Sequence, residues 1–207
     1  MNRILFWLIA LPAIFLSGAL NPAAARSIPP LDGLEALRKG FSGISDFTAD
    51  ITQEKRLSLM KRNMTMTGKV RFRKPDQFFM SINPPYTSRM VLKDSVIELA
   101  GGPEGKHNKI VLPPEQGLGR WFSKLAAPVT SLPDGVAILA DISNSLYTLT
   151  ITPQGRGQVK ELTISFLADG TIRRLIIMEQ NGDKATMTFK NLRRNIGLTD
   201  REFQLEQ

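Results

Sequence analysis

The chain has 207 residues, a formal net charge of +8 and no cysteine. Without cysteine there is no disulfide framework, no thiolate metal site and no lipid attached through an N-terminal cysteine. At this length one domain of ordinary size is the expectation.

Residues 1–25 open with Arg3, run apolar from Ile4 to Leu20, and close on small residues at Ala23 and Ala25. That layout predicts a secretory signal peptide cleaved after Ala25. The competing reading is a membrane anchor, at the short end of the spanning range of about 17–25 residues and interrupted by Pro12. Cleavage removes Arg3 and no acid, leaving a charge of +7 on a single domain at 26–207. The expected address is the bacterial periplasm, with the extracellular space as the alternative.

The first element past the leader is an amphipathic helix over 31–44, where Leu34, Leu37, Phe41 and Ile44 recur at spacings of three and four. Pro29-Pro30 precedes it and Gly43 sits near its end. From Phe47 the period changes to two. Phe47, Ala49 and Ile51 share a face, then Met64, Met66, Gly68, Val70 and Phe72, then Phe78, Met80 and Ile82, closed by Pro84-Pro85. Residues 113–128 break the pattern, because Leu118, Trp121, Phe122 and Leu125 have helical spacing between prolines. Alternation then resumes with Tyr147, Leu149 and Ile151; with Leu162, Ile164 and Phe166; and with Ala185, Met187 and Phe189. Asp169-Gly170 and Asn181-Gly182 lie between these runs and suit type I′ hairpin turns. The expected fold is mainly β with α: a single curved antiparallel sheet, apolar on one face and polar on the other, with two helical segments over its apolar face.

Little in the chain points to catalysis. His107 is the sole histidine, so a hydrolase would depend on it as base, and no nucleophile-elbow motif accompanies it. "GGPEGKH" has the wrong spacing for a phosphate loop and no Ser or Thr to meet magnesium. Asp46, Asp50 and Glu54 fall on a strand and need not converge. No cofactor, no metal and no enzymatic activity are expected. The basic residues from Lys55 to Lys74 suggest a nucleic-acid footprint, but an exported protein does not meet nucleic acid. A solvated outer face is the plainer reading, with anionic lipid or an acidic partner as the further one.

Met60, Met64, Met66, Met80 and Met90 cluster within one short stretch. Thioethers fill irregular cores, and they also line surfaces that accept varied apolar ligands. A single sheet with two short helices has more apolar face than its own elements can cover.

Three motifs in order, "FTADITQEK", "GKVRFRKP" and "PDQFFMSINPP", together with the ending "FKNLRRNIGLTDREFQLE", resemble the LolA family of periplasmic lipoprotein carriers over essentially the whole chain past the leader. The resemblance implies an incomplete antiparallel barrel lidded by helices, whose cavity shelters acyl chains. It implies lipoprotein or lipid cargo, an inner-membrane ABC-type exporter and an outer-membrane acceptor lipoprotein as partners, and a monomer. A lipid-sensing regulator of the same fold is the alternative. Transferred to this chain, the lipid-binding wall comprises Met64, Met66, Val70, Phe72, Phe78, Met80 and Ile82. The lid contributes Trp121, Phe122 and Leu125. The family's lid-latching arginine falls on Lys74, which can reach helix-end carbonyls without arginine's fork of donors; the alternative is an exposed cation beside a turn proline. Met80 stands where the family often has tryptophan, and the usually aromatic stretch after Asp94 is "SVIELAGGPEGKHNK". These departures leave open whether the cargo is a triacylated lipoprotein or another lipid. On this register Lys69, Arg71 and Arg73 form the wet outer wall.

Overall fold

A computed structural model describes residues 25–101, 106–113, 119, 123, 126–155 and 157–205. Helix α1 spans Pro30–Ser42. Proline suits its first turn, where an N–H would lack a helical partner, while Asp32 at its start and Lys39 at its end match the helix dipole. Strand β1 (Arg26–Ile28) precedes it. The further strands are β2 (Asp46–Leu57), β3 (Arg62–Arg73), β4 (Gln77–Ile82), β5 (Ser88–Lys93), β6 (Val96–Gly101), β7 (Lys106–Val111), β8 (Val136–Ser143), β9 (Leu146–Pro153), β10 (Val159–Leu167), β11 (Ile172–Glu179) and β12 (Lys184–Arg194). All pair antiparallel in one 12-stranded sheet, in the order β1-β8-β9-β10-β11-β12-β2-β3-β4-β5-β6-β7. The sheet is curved and open.

Register sets the two faces. Phe47 pairs with Phe72, Ala49 with Val70 and Ile51 with Gly68; Val70 pairs in turn with Met80 and Phe72 with Phe78. Because side chains alternate, these residues share the concave face, where Phe41 and Ile44 pack on Phe47, Ala49, Ile51, Val70, Phe72, Ile82 and Phe189. The other end of α1 presses Leu34 onto Ile138, Ala140, Leu149 and Phe166. Two glycines permit that close seat. A Cβ at Gly33 would lie 2.7 Å from side-chain atoms of Ala140 and Leu149, and one at Gly40 only 2.6 Å from the Gly170 nitrogen.

The hairpins correct the expected turn chemistry. In Asp169-Gly170 and Asn181-Gly182 only the glycine has positive φ, at 81° and 85°. Leu167 accepts from Gly170 N–H at 2.8 Å, and Leu167 N–H reaches Thr171 at 3.0 Å. This is a three-residue loop ending in a left-handed glycine, which type I geometry accommodates. The two-residue turn with both φ positive joins β8 to β9 instead, at Asn144 (47°) and Ser145 (65°).

The uniformly wet outer face is also corrected. Residues 195–205 cross the convex side of β3–β5, where Phe203, in a 3-10 turn at Asp200–Phe203, packs with Phe79 and Val91, flanked by Leu198 and Leu205. Arg71 donates to the Glu202 carbonyl at 3.1 Å, Arg73 to the Leu198 carbonyl at 3.1 Å, and Arg89 to the Leu205 carbonyl at 2.9 Å. Arg73 also pairs with Asp200. The Arg71 guanidinium lies 5.0 Å from the Phe79 ring centroid and that of Arg73 5.5 Å from Phe203. Arg71 and Arg73 therefore fasten a strap. Only Lys69 stays in water, near Asp50. The row tolerates its like charges because two of the three are spent on carbonyls, rings and a carboxylate. Asp46 anchors the start of the strap by accepting from the N–H groups of Ile196 (2.8 Å) and Gly197 (3.1 Å).

Leu118, Trp121, Phe122 and Leu125, assigned to a second helix, lie outside the described residues; Gly119 and Ser123 within that stretch have helical backbone.

Candidate functional site: the lidded concave face

The apolar wall follows from a strand's period of two. Val70, Phe72 and Ile82 are buried, and Met64, Met66, Phe78 and Met80 are half-buried beside them. Cross-strand neighbours extend the wall further than the sequence reading took it. Met80 pairs with Met90 and Phe78 with Leu92; Met90 pairs with Leu99 and Leu92 with Ile97. All four added residues are half-buried. Their signal was present in the alternation of "RMVLKDSVIELAG", where Met90 and Leu92 share even parity and Ile97 and Leu99 odd parity across a two-residue turn.

Lys74 stands at the corner where β3 ends. Its backbone N–H donates to the Ser45 carbonyl at 2.8 Å. Its ammonium donates to the Phe41 carbonyl, in the last turn of α1, at 2.5 Å. The side chain thus ties the β3 corner to the helix, and desolvation there holds the ammonium pKa below its usual value. The following Lys74–Pro75 bond is cis. A cavity of about 370 Å³ opens at the same corner, lined by Arg38, Phe41, Lys74, Pro75, Gly119 and Ser123 among others.

One turn earlier, Arg38 grips Glu35 with two hydrogen bonds of 2.7 Å. Glu35 also accepts the Val129 N–H at 3.2 Å, so it joins α1 to the segment entering β8. Hydrogen bonding from Arg38 comes first among the causes that lower the Glu35 pKa from 4.5 to about 2. Asp94 accepts the Gly119 N–H at 3.1 Å, a second tether between the sheet and residues near 119.

His107 sits exposed on the edge strand β7, paired with Ala100. Among the described residues no group of three or more His, Asp or Glu could hold a metal ion. The concave side offers a continuous hydrocarbon wall of adaptable side chains, with the Lys74 ammonium at its rim.

Residues 118–206 match the family model described as "Outer membrane lipoprotein carrier protein LolA". Those 89 of the chain's 207 residues are similar to LolA. The LolA match covers β8 through the strap, whereas the concave apolar wall lies mainly in β3–β6. No curated protein matches the chain. Among solved structures, a LolA superfamily protein from Nitrosomonas europaea is 8% identical, with 86% of this chain and 98% of that one covered and a TM-score of 0.45. A putative outer membrane lipoprotein-sorting protein domain from Vibrio parahaemolyticus is 9% identical, with 84% and 95% covered and a TM-score of 0.47. The lipoprotein LppX of Mycobacterium tuberculosis is 12% identical, with 82% and 97% covered and a TM-score of 0.41.

Proposed function

We propose that this LolA-like chain is a non-enzymatic periplasmic carrier that shelters the acyl chains of lipoproteins, or of related lipids, and ferries them from the inner to the outer membrane. The observation that carries the reading is the concave wall. Seven apolar side chains from Met64 to Ile82 continue through Met90, Leu92, Ile97 and Leu99; Phe41 of α1 joins the cluster that buries Val70, Phe72 and Ile82, and the rest of the wall stays half-buried. An unbranched chain laid along half-buried thioethers and aliphatics gains about 25 cal/mol for each Å² withdrawn from water. Methionines adapt to its bends without a fixed shape.

In this reading Lys74 is the lid latch, and Trp121, Phe122 and Leu125 belong to the lid. Loading separates α1 from the β3 corner, and the Lys74–Phe41 bond favours the closed, empty state, so the latch lowers affinity for cargo and assists release. An ABC-type exporter supplies the cargo and an outer-membrane acceptor takes it; the carrier works as a monomer after cleavage at Ala25. Native mass spectrometry of protein recovered from the periplasm tests the reading. Co-purified acyl-chain species that are displaced by Met80→Asp support it. An empty protein that also fails to take up a diacyl or triacyl lipopeptide contradicts it.

A further inference from the structure

The β2–β3 hairpin ends in the four-residue turn Ser58-Leu59-Met60-Lys61, closed by Lys61 N–H on the Ser58 carbonyl at 3.3 Å, with Lys61 at φ 47°. Its two central positions usually hold glycine, proline, asparagine, aspartate or serine, whose local bonding or φ range favours a turn. Here they hold Leu59 and Met60, which are 88% and 66% exposed and serve neither the turn nor the core. Scattered surface apolar residues are ordinary; these two are adjacent, at a tip, and collared by charge.

Arg56, Lys61, Arg62 and Lys184 are all exposed around the tip, and Lys55 is half-buried beside it. Lys184 lies directly across from Arg56 in the β12–β2 pair, where like charges work against the sheet. The acids nearby are Glu54, Glu179 and Asp183. Asp183 is occupied, accepting the Ser58 N–H at 2.7 Å, which fixes the tip against the β11–β12 turn. The collar is thus net cationic and the tip braced. On the concave side of β3, burial deepens stepwise from the tip: Arg62 is exposed, Met64 and Met66 are half-buried, and Val70 and Phe72 are buried.

We propose that the 58–61 tip is a membrane-docking element that inserts Leu59 and Met60 into the interfacial region of an anionic bilayer while Arg56, Lys61, Arg62 and Lys184 hold its headgroups. The charge sign selects anionic lipid, and two apolar side chains on a narrow turn suit shallow insertion between headgroups. Such docking would set the Met64–Met66 end of the concave wall against the bilayer surface, so an acyl chain could pass along β3 without crossing open water. That consequence rests on the carrier reading; docking itself does not.

The test is co-sedimentation of the protein, in the form recovered from the producing cell, with vesicles of phosphatidylcholine alone or of phosphatidylcholine with phosphatidylglycerol. Binding is expected only to the anionic vesicles, and to fall as salt shortens the screening length from about 10 Å at 0.1 M to about 3 Å at 1 M. Changing each of the four cations to Gln should weaken partitioning about fivefold per residue. Leu59→Ser with Met60→Ser should weaken it about tenfold or more, with thermal unfolding unchanged because neither side chain is packed. Leu59→Trp should show a blue-shifted emission that brominated lipid quenches. Wild type that ignores anionic vesicles, or a Leu59→Ser/Met60→Ser variant that binds them as wild type does, overturns the proposal; the first result would assign the tip to an acidic protein partner. Failure of the wild type to dock, with acyl-lipid uptake intact, would refute the docking element and leave the carrier reading standing.

Discussion

Replacing Lys74 with leucine removes the ammonium that donates to the Phe41 carbonyl at 2.5 Å and leaves a shorter, apolar side chain in its place. A hydrogen bond from a charged donor is worth roughly 1.5–3 kcal/mol. The lower figure applies here, because the Phe41 carbonyl keeps the N–H groups of Gly43 and Ile44 and is not stranded by the substitution. About 1.5 kcal/mol is roughly a tenfold shift of the closed-to-open ratio toward open, and cargo affinity should rise by the same factor wherever the closed state predominates. Lys74→Arg should move the other way, since a planar fork can hold more than one helix-end carbonyl. The assay is transfer of a labelled lipopeptide from loaded carrier to acceptor membranes. Lys74→Leu should retain cargo about tenfold longer than wild type, and Lys74→Arg should release it faster. Equal transfer rates for all three proteins would refute the latch and leave Lys74 a structural tie.

Three further outcomes follow from the packing and charge of the chain. Phe203 is 7% exposed and holds the strap on Phe79 and Val91; Phe203→Ala should cost about 3–5 kcal/mol, read as a lower urea midpoint, whereas Leu59→Ser should leave the midpoint unchanged. Gly68→Ala would place a Cβ 2.0 Å from the Ser81 carbonyl oxygen, so it should part β3 from β4 and raise amide exchange there, while Gly43→Ala, with open space around it, should not. Glu35 has a pKa lowered from 4.5 to about 2, chiefly by Arg38. A depressed carboxyl stabilises the fold above its unfolded pKa and loses that contribution as pH falls through the folded one, so stability should drop between about pH 4.5 and pH 2, and Glu35→Gln should flatten that part of the profile.

The parts of the fold that sequence disclosed are those where one periodicity ran unbroken. The helical spacing of Leu34, Leu37 and Phe41 and the alternation of Met64 through Phe72 reached the structure nearly residue for residue, because each face has a single environment along its length. Legibility failed where a face changes environment part-way. Phe79 and Val91 are apolar at outward positions, which a wet wall does not explain; they are apolar because residues 195–205, more than a hundred positions later, lie over them. Nothing local marks that contact, although the apolar pair Phe78-Phe79 signals that both sides of β4 are covered. The edges β1 and β7, with their mixed polar residues, gave no period of their own and are strands through their pairing with β8 and β6. At the candidate site, parity indicated only that Lys74, continuing Val70 and Phe72, points to the concave side, where its ammonium meets the Phe41 carbonyl; the latch role itself came from the family resemblance.

The central claim is that the concave wall, and not the convex side, holds acyl chains. An acyl lipopeptide carrying a diazirine near the chain end, photolysed in the loaded protein and mapped by peptide sequencing, tests this most directly. The account predicts adducts on Met64, Met66, Phe78, Met80 and Met90, lost when unlabelled lipopeptide competes. Adducts confined to the convex residues Phe79, Val91 and Phe203, or labelling that competitor does not displace, would contradict it.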